Sequence, residues 1–250
     1  MEEGYSLSAS TIKNENIQTI SDGSSHLYVE DIKYQGETGP ILAHFAKSKE
    51  DVKQPSVIVI HENRGLVPHI KDVAERIASE GFLAIAPDAL SPLGGTPDDV
   101  DEARSLIQKL DSQETVKNFV AAVKYLKTHS QSTGEVGVVG FCWGGGIANQ
   151  IAVNSPDVKA VVPFYGIQPA SEDVSKIKAS LLLHYAGLDE RINKGIPAFE
   201  SALKEAHVDY KLFIYEGAEH AFFNDTGPRY DEKSAKLAWE RTISFLKQKL

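Results

Sequence analysis

The sequence predicts an α/β fold in which a mostly parallel central sheet carries helices on both faces. Three observations lead there. Residues 56–60, 136–141 and 158–164 are apolar, β-branched-rich runs, the composition of strands buried on both faces. Segments with apolar residues near helical spacing separate the runs, so strands and helices alternate. That alternation implies parallel pairing through right-handed crossovers. The third observation is Gly140-Phe141-Cys142-Trp143-Gly144, which follows one run and precedes the small residues Gly145-Gly146-Ile147-Ala148. It reads as strand, very tight turn, helix.

Residues 1–25 are rich in Ser, Asn and Thr and predict a polar N-terminal arm, with 26–250 as a single α/β domain. At 250 residues the chain buries enough surface for a core without staples. Residues 27–29 and 32–34 read as a short hairpin or paired edge strands, and 41–46 as another strand. After the long strand at 56–60, residues 72–79 predict a helix through Val73, Ile77 and Ala78. The strand at 82–86 is stopped by Pro87-Asp88, and Pro92, Gly94, Gly95 and Pro97 mark a loop. Helices are expected at 98–110 and 114–128, the second with Phe119, Val120, Val123 and Leu126 on one face. The strand at 136–141 leads into a helix at 144–153. Strands follow at 158–164 and 181–184. Pro197 suits the first turn of a helix reaching about residue 206. A strand at 210–215 and a helix at 231–249 complete the pattern.

The formal charge of −9 and pI near 5.4 lack the basic footprint of a nucleic-acid binder. No apolar run approaches the roughly 18 residues of a membrane span. One cysteine excludes an intramolecular disulfide and fits a reducing compartment. Met1-Glu2-Glu3-Gly4 shows no signal peptide, so a cytoplasmic location is expected, with an exported form that lost a leader as the alternative. The expected partner is a small molecule, with neither nucleic acid nor membrane involved. No residue decides the oligomeric state, and a monomer is favoured.

The turn places the Cys142 sulfur at a helix N-terminus, where the dipole and free N–H groups favour thiolate. A buried structural cysteine is the plainer alternative. A thiol nucleophile needs a base, and the base needs an orienting acid. His220, in Glu216-Gly217-Ala218-Glu219-His220-Ala221-Phe222, is the best placed of eight histidines because its segment follows the strand at 210–215 and precedes the C-terminal helix. Asp189, in Ala186-Gly187-Leu188-Asp189, also follows a strand, although turn aspartates are common. Ligands of parallel sheets bind at those strand ends. The chain order nucleophile, acid, histidine is that of α/β-hydrolases. His61-Glu62-Asn63-Arg64-Gly65 follows residues 56–60 and is expected to supply one oxyanion N–H from Asn63, the other coming from Trp143. Glu62 would pair with the thiol proton or with Arg64. Arg64 is either a substrate anchor or an ion-pair partner, the ion pair being favoured. Gly65 stands where H-E-x-x-H requires its second histidine, so no zinc motif is present. No metal or cofactor is expected.

Together these segments resemble the dienelactone hydrolase family, a branch of the α/β-hydrolase fold. The resemblance spans roughly residues 27–250 and rests on Glu62, Gly140-Phe141-Cys142-Trp143-Gly144-Gly145, Ala186-Gly187-Leu188-Asp189 and Glu219-His220-Ala221-Phe222. It implies that Cys142 attacks a lactone or ester carbonyl and that His220 and Asp189 complete the triad. It also implies that Glu62 contacts the resting thiol and helps generate thiolate. The founding enzymes hold a substrate carboxylate with two arginines, one soon after a Pro-Asp, the other soon after the catalytic histidine. Here Pro87-Asp88-Ala89-Leu90-Ser91-Pro92 and His220-Ala221-Phe222-Phe223-Asn224 carry none. Trp143, Tyr165, Phe222 and Phe223 would instead line an aromatic pocket with Asn224 and Arg64 nearby, the alternative being that these aromatics belong to the core, as is at least as common at such positions. The function expected is hydrolysis of an ester or lactone through a cysteine acyl-enzyme. A non-catalytic binding or thiol redox-sensing protein on the same scaffold is the second reading, since a low-pKa thiol oxidises readily.

Overall fold

In the computed structural model, which describes residues 26–250, eight strands form one sheet. They are β1 (Leu27–Gly36), β2 (Gly39–Ser48), β3 (Gln54–Ile60), β4 (Leu83–Pro87), β5 (Ser132–Phe141), β6 (Ala160–Phe164), β7 (Ser180–Ala186) and β8 (Tyr210–Tyr215). Their order is β1-β2-β4-β3-β5-β6-β7-β8. Pairing is parallel from β4 to β8, and antiparallel where β2 meets β1 and β4. The arm expected over residues 1–25 lies outside the described residues.

Alternation along β3 explains why its composition is apolar throughout. Val57 and Val59 enter one core cluster while Ile58 and Ile60 enter the other. Helices α1 (Pro68–Ser79) and α7 (Glu232–Lys249) cover the first face. Helices α3 (Ser112–Thr128), α4 (Trp143–Asn154) and α6 (Ile196–Glu205) cover the second. Two shorter helices, α2 (Val100–Ile107) and α5 (Glu190–Asn193), sit in loops. Aspartates start several helices: Asp99, Asp111 and Asp231 accept backbone N–H bonds at α2, α3 and α7. No helix among the described residues is long and apolar enough to cross a membrane.

Two expectations shift. The pair of short strands at 27–29 and 32–34 is one ten-residue edge strand, paired with β2 from Leu27 to Gly36. Its polar residues face outward on the sheet edge and do not interrupt it. Helix α1 starts at Pro68, ahead of the expected 72, because proline occupies a first-turn position that needs no N–H. The parallel strands all point the same way, so the loops after β3, β5, β7 and β8 gather at one edge of the sheet.

Candidate active site

Cys142 joins β5 to α4 with φ 55° and ψ −114°, in the left-handed half of backbone space. The close crossing of strand and helix explains its glycine neighbours. A Cβ on Gly144 would lie 2.4 Å from the His61 carbonyl oxygen, and one on Gly140 would lie 2.1 Å from the Gly144 carbonyl oxygen. Only glycine fits such approaches. The strained residue is held by its own N–H, which donates to the Phe164 carbonyl at 3.0 Å. The result is a half-buried sulfur at the gathered loops.

His220 and Asp189 meet it there. His220 Nε2 lies 3.1 Å from Sγ, and Nδ1 is bonded to Asp189 Oδ2. A carboxylate only accepts, so Nδ1 carries hydrogen and Nε2 offers its lone pair to the thiol. Asp189 is itself fixed, its Oδ1 accepting from the Ile192 N–H at the start of α5. The imidazole rests against the Tyr165 ring at 4.9 Å between centroids. Residues separated by 47 and 31 positions thus form one line.

Burial pushes the Cys142 thiol up to about 11, and the Glu62 charge adds to the rise. The backbone N–H groups of Trp143 and Asn63 face the sulfur and pull the other way, as does Arg191. The thiolate expected from the helix terminus is therefore not the resting form, because loss of solvent outweighs the dipole. Glu62 also differs from expectation. Its Oε2 accepts from Asn224 Nδ2 at 2.9 Å, while Oε1 is buried without a partner. Among the described residues it forms neither an ion pair with Arg64 nor a hydrogen bond to the thiol. Asn224, which lies 162 positions away in sequence, occupies its other oxygen.

A cavity of about 230 Å³ opens over Cys142 and His220. Its wall is polar, contrary to the aromatic pocket expected. Tyr165, Phe222 and Phe223 are buried in the core with Phe141 and Phe164. The turn that carries His220 rotates Phe222 and Phe223 inward, with Ala221 at φ 71°. Trp143 stacks on His61 at 5.3 Å and 15°. Of the expected pocket residues, Arg64 and Asn224 do line the cavity. Joining them are three arginines that local motif reading missed: Arg104 from α2, Arg191 from α5, and Arg229 from the loop before α7. Arg104 pairs with Asp101 at 2.9 Å. Arg64, Arg191 and Arg229 have no ion-pair partner among the described residues. The ion pair favoured for Arg64 is therefore not formed. The available signal was position: Arg191 stands two residues after Asp189, and Arg229 closes a Gly-Pro turn after the histidine loop.

The sequence model of the Dienelactone hydrolase family matches residues 41–250. A provisionally named carboxymethylenebutenolidase of Saccharolobus solfataricus is 33% identical, over 88% of this chain and 98% of its own. One from Escherichia coli K12 is 30% identical, over 99% of this chain and 96% of its own. A provisionally named dienelactone hydrolase of Klebsiella pneumoniae has a solved structure that superposes with a TM-score of 0.81 at 26% identity, covering 89% of this chain and 99% of that one. A dienelactone hydrolase-like promiscuous phosphotriesterase from metagenomic libraries superposes at 0.79 with 23% identity, covering 90% and 99%, and bears on the fold alone. On the strength of a family match across most of its length, this chain belongs to the dienelactone hydrolase family and has its α/β-hydrolase fold.

Proposed function

We propose that the chain hydrolyses an anionic carboxylic ester or lactone through an acyl-enzyme on Cys142. The observation that carries this is the line from Sγ to His220 Nε2 at 3.1 Å, continued from Nδ1 to Asp189. The thiol is protonated at rest, so the base must act at the moment of attack. Nε2 takes the thiol proton as Sγ bonds to the substrate carbonyl carbon. The carbonyl oxygen becomes an oxyanion beside the N–H groups of Trp143 and Asn63, each such donor being worth about 3–4 kcal/mol. The imidazolium, held by Asp189, gives its proton to the departing oxygen as the C–O bond breaks. Nε2 then takes a proton from water, the hydroxide attacks the thioester, and the proton returns to sulfur as the acid leaves. Burial keeps the thiol protonated, and the Glu62 charge adds to that effect.

The arginine wall supports the charge of the substrate. Unpaired guanidiniums in a chain of net charge −9 create a local field that favours an anion. Among the described residues, Glu62 is the one carboxylate on that wall. A redox-sensing role is less well supported, since a sensor thiol needs to be thiolate near neutral pH.

The test is Cys142→Ala against a panel of nitrophenyl esters and lactones, with mass spectrometry of quenched parent reactions. Turnover should vanish in the variant, and the acyl group should appear on the Cys142 peptide. Retained turnover removes Cys142 from the mechanism.

A further inference from the structure

His61 directly follows β3, is fully buried, and does not line the cavity. Its ring has three neighbours. Nδ1 lies 2.6 Å from the Glu62 carbonyl oxygen. Nε2 lies 3.2 Å from the Ala89 backbone nitrogen. The ring plane stacks on the Trp143 indole. A carbonyl oxygen only accepts and a backbone N–H only donates, so the tautomer follows: Nδ1 bears hydrogen and Nε2 does not. Burial lowers the imidazole pKa and keeps that neutral form.

The Glu62 carbonyl and the Asn63 N–H belong to one peptide unit. In a planar trans peptide these two groups point in opposite directions. Holding the carbonyl from behind therefore aims the N–H forward, and that N–H faces Sγ. The other N–H facing Sγ belongs to Trp143, whose side chain His61 braces. One buried ring thus touches the peptide unit that carries one donor and the residue that carries the other. We infer that His61 is a positioning residue that sets the oxyanion site by gripping the Glu62–Asn63 peptide and packing against Trp143, without meeting substrate. This inference rests on the acyl-enzyme reading, and both chemical steps of that reading pass through an oxyanion.

The experiment compares His61→Leu, His61→Asn and His61→Gln in the full chain. It measures kcat and KM on a nitrophenyl ester, the rate of Cys142 alkylation by iodoacetamide, and thermal melting. Alkylation is a displacement at carbon that forms no oxyanion. Losing one aimed donor should lower kcat of His61→Leu by about 100-fold, with KM within about twofold. Alkylation should fall by less than about fivefold, since thiol access and the His220 contact persist. His61→Asn keeps an N–H near the Nδ1 position and should recover at least about tenfold of the lost kcat. His61→Gln, which offers its amide to Ala89 instead, should recover less. If His61→Leu does not fold, the Asn and Gln variants alone decide, and equal rates overturn the inference. A folded His61→Leu with kcat within about threefold of the parent also overturns it, as does an equal loss in alkylation and hydrolysis. Cys142→Ala separates the layers. If it still turns over ester, the acyl-enzyme reading fails. If it is inert while the His61 variants are unimpaired, only the role of His61 fails.

Discussion

Two histidines near the end of the same sheet show how surroundings decide what an imidazole does. His220 sits in a loop at the cavity, 16% exposed, with a carboxylate on Nδ1 and a thiol on Nε2. His184, within β7, has no exposure at all and is enclosed by Phe164, Phe213 and Tyr215. Its partners are hydroxyls. Tyr215 receives a hydrogen bond from Arg241 at 3.2 Å, so its own hydrogen goes to His184 Nδ1 at 2.9 Å. Thr242 donates to the Ala238 carbonyl, so its oxygen accepts from His184 Nε2 at 3.2 Å. Every lone pair and hydrogen of the His184 ring is occupied, which makes it structural. His220 has its hydrogen taken by a carboxylate and its lone pair aimed at a nucleophile, which suits proton transfer. The arginines repeat the contrast. Arg241 lies 3.7 Å over the Phe213 ring and bonds Tyr215, whereas Arg191 and Arg229 face the cavity.

The largest expected effect breaks or confirms this division directly. His220→Ala should lower kcat on an ester by on the order of 10³-fold, since it removes the acid and base of both proposed steps. His184→Leu should leave kcat within about threefold but cost about 1–3 kcal/mol of stability in urea unfolding, because two hydroxyls lose a partner. A His184→Leu enzyme that folds normally and loses hydrolysis as His220→Ala does would dissolve the contrast.

A smaller effect sharpens the arginine half. Replacing Arg191 and Arg229 together by Gln should reduce kcat/KM for a carboxylate-bearing ester by roughly 10–100-fold, about 1.4–2.8 kcal/mol. A neutral ester of the same size should change little. The preference of the parent for the anionic ester should also weaken as salt rises, since exposed charges are screened. Equal losses on both esters would leave the cavity wall without a role in charge selection.

The sheet and the meeting of the Cys142, Asp189 and His220 side chains were legible in sequence because each depends on short-range patterns. Buried runs identify the parallel strands, and Cys142, Asp189 and His220 each lie within a few residues after one. What was not legible depends on turns and on distant chain. Phe222 and Phe223 read as pocket aromatics, but the conformation at Ala221 sends them into the core. The segments at Pro87-Asp88 and directly after His220 carry no arginine, as the sequence shows, yet Arg104, Arg191 and Arg229 arrive at the cavity from three other elements. The helix terminus at Cys142 argued for thiolate, and only the folded surroundings show that burial prevails. Glu62 found Asn224, a partner that no local spacing indicates.

The smallest effect concerns acid. His184 is lowered to about 3 by burial and by the Arg241 charge, against an ordinary value of 6.5. A proton on Nδ1 would need the Tyr215 oxygen to accept it in place of donating, while that oxygen already receives Arg241. The folded chain therefore refuses a proton that the unfolded chain takes below pH 6.5. A depressed folded pKa contributes stability that is present above 6.5 and lost as pH falls toward 3. The slope from one such group is at most about 1.4 kcal/mol per pH unit. His61, also lowered by burial, changes stability in the same direction. Urea unfolding at pH 7 and pH 5 should show the parent losing stability on acidification, and His184→Leu losing about 1–2 kcal/mol less over that interval. The same acid loss in both proteins would mean that the ring accepts its proton inside the fold, and the sealed half of the comparison would no longer stand apart from the reactive one.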